Sequence, residues 1–238
     1  IINKSNIMGF YRGPNIVTDG LVFAVDAGSA RSYPGSGTST TSLVGTSVGT
    51  LTNGVGFDSA NGGSFTFDGS DDYISVAYNT ELNTPLGATY DIWIYPTSSG
   101  EFLSRGQSDS STNPDNPRFY IGSSGNLYFD WSVPGTDTYV DSSSGAVTLN
   151  AWNNIIGVAT PGQQLRVYVN TIEPSYGTVQ NTLPTPLANT PNPLIIGGVT
   201  WIPRYIAGKI AAVKLYNKSL SATERSQNFN AQKSRFGL

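Results

Sequence analysis

The chain has 238 residues, 38% hydrophobic and 11% aromatic but only 12% charged, so a core can form while long exposed helices are disfavoured. Sixteen acids against 13 bases leave a net charge of −3 with no basic run, which argues against a groove that tracks nucleic acid. With no cysteine and no histidine, disulfides, thiolate metal sites, thiol catalysis and the commonest general base are excluded by counting alone.

Residues 1–18 read as an N-terminal extension, and residues 19–238 as one β-sandwich domain. The single methionine, Met8, fits either a processed or partial chain beginning at Ile1 or a natural start at Met8. Asp19-Gly20 opens the first strand, Leu21 to Ala27, in which Leu21, Phe23 and Val25 alternate with Val22, Ala24 and Asp26. Residues 31–61 are rich in Ser, Thr and Gly and read as a long loop with one or two short strands. Ser64 to Phe67 and Tyr73 to Ala77 flank Asp68-Gly69, a dipeptide suited to a tight hairpin with Gly69 at positive φ.

Ala88 to Pro96 is a strand with Tyr90, Ile92 and Ile94 on one face and Asp91, Trp93 and Tyr95 on the other. A short strand at Phe102 to Arg105 precedes a hairpin of Arg118 to Ile121 and Asn126 to Trp131. Trp152 to Ala159 and Gln164 to Asn170 form another, around Pro161-Gly162. The proline-rich stretch 182–193 is unfit for a central strand, and Leu194 to Ile196 and Ile206 to Tyr216 close the β part. Ser221 and Glu224 have capping-box spacing, which predicts a short helix ending near Gly237, with Phe229 packed back onto the sandwich. No apolar run approaches the ~18 residues needed to cross a bilayer, so membrane insertion is not expected.

Two aromatic patches suit sugar binding, because aromatic faces stack on pyranose rings while carboxylates accept their hydroxyls. One holds Tyr128, Asp130, Trp131 and Asp137; the other holds Trp201, Arg204 and Tyr205. The competing role for such aromatics is the core or an oligomer interface, and Trp93 and Trp152, in stronger strand patterns, are assigned to the core.

Three stretches carry a resemblance. They are Phe67-Asp68-Gly69-Ser70-Asp71-Asp72-Tyr73-Ile74, then Trp152 to Ile156 leading into Leu165 to Asn170, then Gly208-Lys209-Ile210 through Leu215-Tyr216-Asn217 to Leu220-Ser221. Together they resemble the laminin-G-like, concanavalin A-like superfamily over residues 20–230. That implies an all-β fold: an antiparallel two-sheet β-sandwich of jelly-roll type with a short C-terminal helix.

Some laminin-G-like domains hold Ca²⁺, and Asp68, Asp71 and Asp72 form the densest acidic cluster; the alternative is that these side chains cap loop amides. The superfamily's hydrolases carry closely spaced acids on one strand, whereas Glu81, Glu101, Glu173 and Glu224 each lack an acid two to four positions away. No enzymatic activity and no required cofactor are therefore expected. The segments Gly13 to Val22 and Asn228 to Lys233 are similar to those in structural proteins of tailed bacteriophages. This implies a virion structural or adsorption subunit at the particle surface, contacting other virion proteins, copies of itself or host-surface glycans. A free carbohydrate-binding module and a divergent glycoside hydrolase are the alternatives.

Overall fold

The computed structural model describes residues 14–106, 117–132 and 136–238, so expectations for Ile1 to Ile7 and Met8 lie outside the described residues. In chain order the first strands are β1 (Leu21–Asp26), β2 (Ser39–Thr41), β3 (Val48–Thr52), β4 (Gly56–Asp58), β5 (Ser64–Asp68) and β6 (Tyr73–Val76). Next come β7 (Ala88–Pro96), β8 (Gly100–Ser104), β9 (Arg118–Ile121), β10 (Leu127–Asp130), β11 (Tyr139–Ser142) and β12 (Asn153–Ala159). Then β13 (Arg166–Val169), β14 (Tyr176–Gln180), β15 (Leu194–Ile196), β16 (Gly198–Val199), β17 (Arg204–Tyr205) and β18 (Ala207–Tyr216) precede the helix α1 (Ala222–Gln232).

These strands form two large antiparallel sheets. The first runs β13-β12-β7-β18-β5-β4, with β1 also paired to β18. The second runs β14-β11-β10-β9-β8-β15-β6-β3-β2, and β16 and β17 form a small ribbon of their own. The alternation in the sequence sets which face is which. Tyr90, Ile92 and Ile94 of β7 meet Phe119, Ile121, Leu127 and Phe129 of β9 and β10 in one core, each almost fully buried. Each such side chain contributes about 1.5–3 kcal/mol by leaving water. Phe119 and Phe129 stack with centroids 4.2 Å apart. Opposite them stands Gly157 of β12, where an added Cβ would lie 2.4 Å from the Phe119 ring; the bare backbone lets the sheets close over the stacked pair.

The outer face of the first sheet is covered by the C-terminal helix. Ser221 Oγ accepts from Glu224 N at 3.3 Å while Ser221 N donates to Glu224 Oε2 at 2.8 Å, so the capping box forms as its spacing predicts. Phe229 and Phe236 stack on Trp93 at 5.7 and 4.2 Å, and half-buried Trp152 packs against Phe236. Ser221→Ala is expected to cost about 1 kcal/mol, read as a lower denaturation midpoint. An unchanged midpoint would deny the cap its role.

One expected connection is corrected. β5 and β6 are not a hairpin: β5 pairs with β4 and β18 in the first sheet, β6 with β3 and β15 in the second. Gly69 does hold positive φ (81°), but the turn at Asp68-Gly69 carries the chain from one sheet to the other. Alternation reports which residues face the core, and strands on either side of a corner alternate as well as paired ones. The 31–61 stretch contains β2, β3 and β4, more strand than expected, while residues 182–193 form none.

Candidate functional site

The one α-helix among the described residues, α1, packs on the first sheet, and the outer face of the second keeps partly exposed side chains at Tyr120, Tyr128, Tyr139 and Asp141. Its composition follows from pleat and register. Since Phe119, Ile121, Leu127, Phe129 and Val140 point into the core, their neighbours Arg118, Tyr120, Tyr128, Asp130, Tyr139 and Asp141 point out. Cross-strand pairing aligns them: Arg118 lies opposite Asp130, Tyr120 opposite Tyr128, Asp130 opposite Tyr139, and Tyr128 opposite Asp141. On the far side of β9, Glu101 of β8 lies opposite Tyr120.

The charges form a chain across the strands. Arg204 Nη1 sits 3.4 Å from Glu101 Oε1, Arg118 Nε lies 3.8 Å from the same oxygen, and Arg118 Nη2 lies 3.8 Å from Asp130 Oδ2. Ser132 Oγ donates to Asp130 Oδ1 at 2.7 Å. Tyrosines flank the chain: Tyr128 and Tyr139 have centroids 5.0 Å apart, and the Arg118 guanidinium lies 5.4 Å from the Tyr128 ring centre. At the ribbon end, Tyr120, Arg204 and Tyr205, with Gly69 and Gly100, line an open cleft of about 440 Å³.

Electrostatics single out Asp130. Burial pushes its carboxyl up to about 6, and the charge of Asp137 adds to the rise; the Ser132 hydrogen bond and Arg118 act the other way. Arg118 does not prevail because 3.8 Å is beyond hydrogen-bonding reach. A carboxyl whose folded pKa exceeds its unfolded value of about 3.9 holds its proton more tightly when folded, so stability falls as pH rises from about 4 to about 6. Between pH 4 and 7, Asp130→Asn is therefore expected to gain about 2–3 kcal/mol relative to the native chain. Urea melts at the two pH values check this, and parallel stability curves would contradict it.

The structure joins the two aromatic patches into one strip but does not keep all their members. Tyr128 and Asp130 lie on the outer face, and Arg204 and Tyr205 reach it through Glu101 and the cleft. Trp131 is corrected: it is 1% exposed in the core, its indole N–H donating to Ala188 O at 3.2 Å, and offers no stacking surface. Asp137 is exposed, and its backbone O accepts from Asn181. Trp201 is half-buried in the turn between β16 and β17, its indole N–H buried without a partner among the described residues. Glu101, Arg118, Tyr120, Tyr139 and Asp141 complete the strip and were not foreseen.

The carboxylate oxygens of Asp68, Asp71 and Asp72 lie within 4.8 Å of one another, a hard-oxygen set chemically apt for Ca²⁺. Two of them already close the corner: Asp68 Oδ1 accepts from Ser70 N at 2.8 Å, and Asp72 Oδ2 accepts from Asp68 N at 3.0 Å. The Ser70 amide leads in holding the Asp68 carboxyl below its usual range, while burial raises that of Asp72. A self-closing corner predicts the same melting temperature in chelator and in millimolar Ca²⁺. A rise of several degrees would instead assign an ion.

A two-sheet jelly roll with one face sealed by a helix and the other open and aromatic is a lectin-like architecture. The chain belongs to the concanavalin A-like lectin/glucanases superfamily, whose Laminin_G_3 model matches residues 68–224. No curated protein matches the chain in sequence. Among solved structures it is similar to Trypanosoma rangeli sialidase in complex with sialic acid, with 15% identity and a TM-score of 0.64 over 92% of this chain and 34% of that one. It is also similar to the binding domain of Paraclostridial Mosquitocidal Protein 1, with 15% identity, a TM-score of 0.68 and coverage of 89% and 52%. A third is domain 4 of AbnA, a GH43 extracellular arabinanase from Geobacillus stearothermophilus in complex with arabinotriose, with 13% identity, a TM-score of 0.62 and coverage of 88% and 98%. The chain thus spans about a third of the length of the sialidase. These likenesses overturn the expectation of a virion subunit: the similar proteins are a sialidase, a toxin binding domain and an arabinanase domain, and the phrase-like similarity of the chain ends carried no mechanism.

Proposed function

We propose that this chain is a non-catalytic glycan-binding domain that uses the outer face of β8–β11. The observation that carries this reading is the alignment of the partly exposed Tyr120, Tyr128, Tyr139 and Asp141 on one sheet face, above the buried charge chain of Glu101, Arg118 and Asp130. Stacking rings next to fixed acceptors and donors are what a pyranose needs, and a sheet face holds them without a mobile loop. The arabinanase domain, whose solved structure contains arabinotriose, and the toxin binding domain lend support at the level of fold.

A second reading rests on Asp130. A carboxyl raised to about 6 near a second buried carboxylate, Glu101, resembles the acid partner of a glycosidase. Against it, Glu101 is 1% exposed between two arginines, and Arg118 stands between it and Asp130. One experiment separates the readings: affinity electrophoresis through a panel of embedded polysaccharides, with reducing ends assayed in parallel. Retardation without sugar release is expected. Release that disappears in Asp130→Asn would establish the hydrolase instead.

A further inference from the structure

Resting on that reading, we infer that the face selects uncharged glycans and rejects sugars carrying a carboxylate or sulfate. Both of the arginines on the strip face carboxylates of the protein itself: Arg204 lies 3.4 Å from Glu101, and Arg118 is 3.8 Å from both Glu101 and Asp130. An anionic sugar reaching either guanidinium has to displace one of these acids and then sit beside it. Glu101 and the Asp130 side chain are 1% and 6% exposed, so little water screens that repulsion. Asp141, whose Oδ1 accepts from Asn126 at 2.7 Å, and exposed Asp137 add negative charge to the same strip.

A neutral sugar meets the opposite conditions. Its hydroxyls can donate to the lone pairs of the partly exposed Asp141 and accept from a tyrosine O–H while the buried ion pairs stay in place. Burial raises the Tyr128 phenol, and the Asp130 charge adds to this, so the group remains neutral and keeps its proton to donate. The selectivity comes from a repulsive element built into the site rather than from an extra contact.

The test is isothermal titration with matched oligosaccharides that differ only in an acidic cap, such as lactose against sialyl-lactose and a neutral arabino- or galacto-oligosaccharide against its uronate-capped form. The neutral member of a pair should bind at least about tenfold more tightly, the gap should narrow in Asp141→Asn, and added salt should narrow only the share due to the more exposed Asp137 and Asp141. Equal or tighter binding of the acidic member overturns the selectivity while leaving the glycan reading standing. Binding of no sugar across a broad panel overturns the glycan reading and the selectivity with it.

Discussion

Replacing Asp91 with alanine is expected to destabilise the fold by about 3–5 kcal/mol, the range for removing one partner of a buried ion pair. Asp91 is fully buried on the outer face of β7, beneath α1. Its Oδ1 accepts from Asn154 Nδ2 at 2.8 Å and its Oδ2 from Asn228 Nδ2 at 2.9 Å. Lys214 Nζ lies 3.5 Å away, its side chain only 4% exposed, and donates to Gln232 Oε1 at 2.6 Å. Asn228 also donates to Tyr216 Oη and accepts from Val17 N, so the network ties the helix, the sheet and the chain entering β1 together. The alanine variant leaves an ammonium and two amides under the helix with no anion. Asp91→Asn keeps the shape and loses the charge, so it should cost less. A loss below about 1 kcal/mol for the alanine variant would mean that water reaches Lys214 and that the helix does not seal this face.

Tyr128→Ala is the second large effect, and it falls on binding rather than stability. The ring is half-buried between Tyr139 and the Arg118 guanidinium, at the centre of the strip. Central aromatic anchors typically cost about 2 kcal/mol or more when truncated, which is over tenfold in affinity. Tyr128→Phe keeps the stacking face and should lose far less. Comparing the two by titration, with melting curves to show that both fold, separates ring stacking from the phenol hydroxyl. Equal affinities for the native chain and the alanine variant would place the sugar elsewhere.

How far these features could be read from sequence depended on whether they were local. The faces of β7 followed from Tyr90, Ile92 and Ile94 alone, and the helix start from Ser221 and Glu224, because period and cap are short-range signals. The burial of Trp131 was also readable: Leu127, Phe129 and Trp131 alternate with Tyr128 and Asp130, so a tryptophan in that phase had to face the core. Glu101 and Arg118 were not readable as a pair. Their proximity depends on the register of β8 against β9, which shifts between Glu101 and Leu103, and no spacing along the chain encodes that. The acid that counts for Glu101 is likewise not two to four positions away but two strands across, at Asp130.

The most direct test of the glycan-binding face is an NMR titration of protein carrying ¹³C-labelled tyrosine with the oligosaccharide that binds best. The ring signals of Tyr120, Tyr128 and Tyr139 should move together and saturate, while those of Tyr90 in the core and Tyr216 beneath the helix stay in place. Saturable shifts at Tyr216 with the other three unmoved would contradict the assignment of the site to the open sheet.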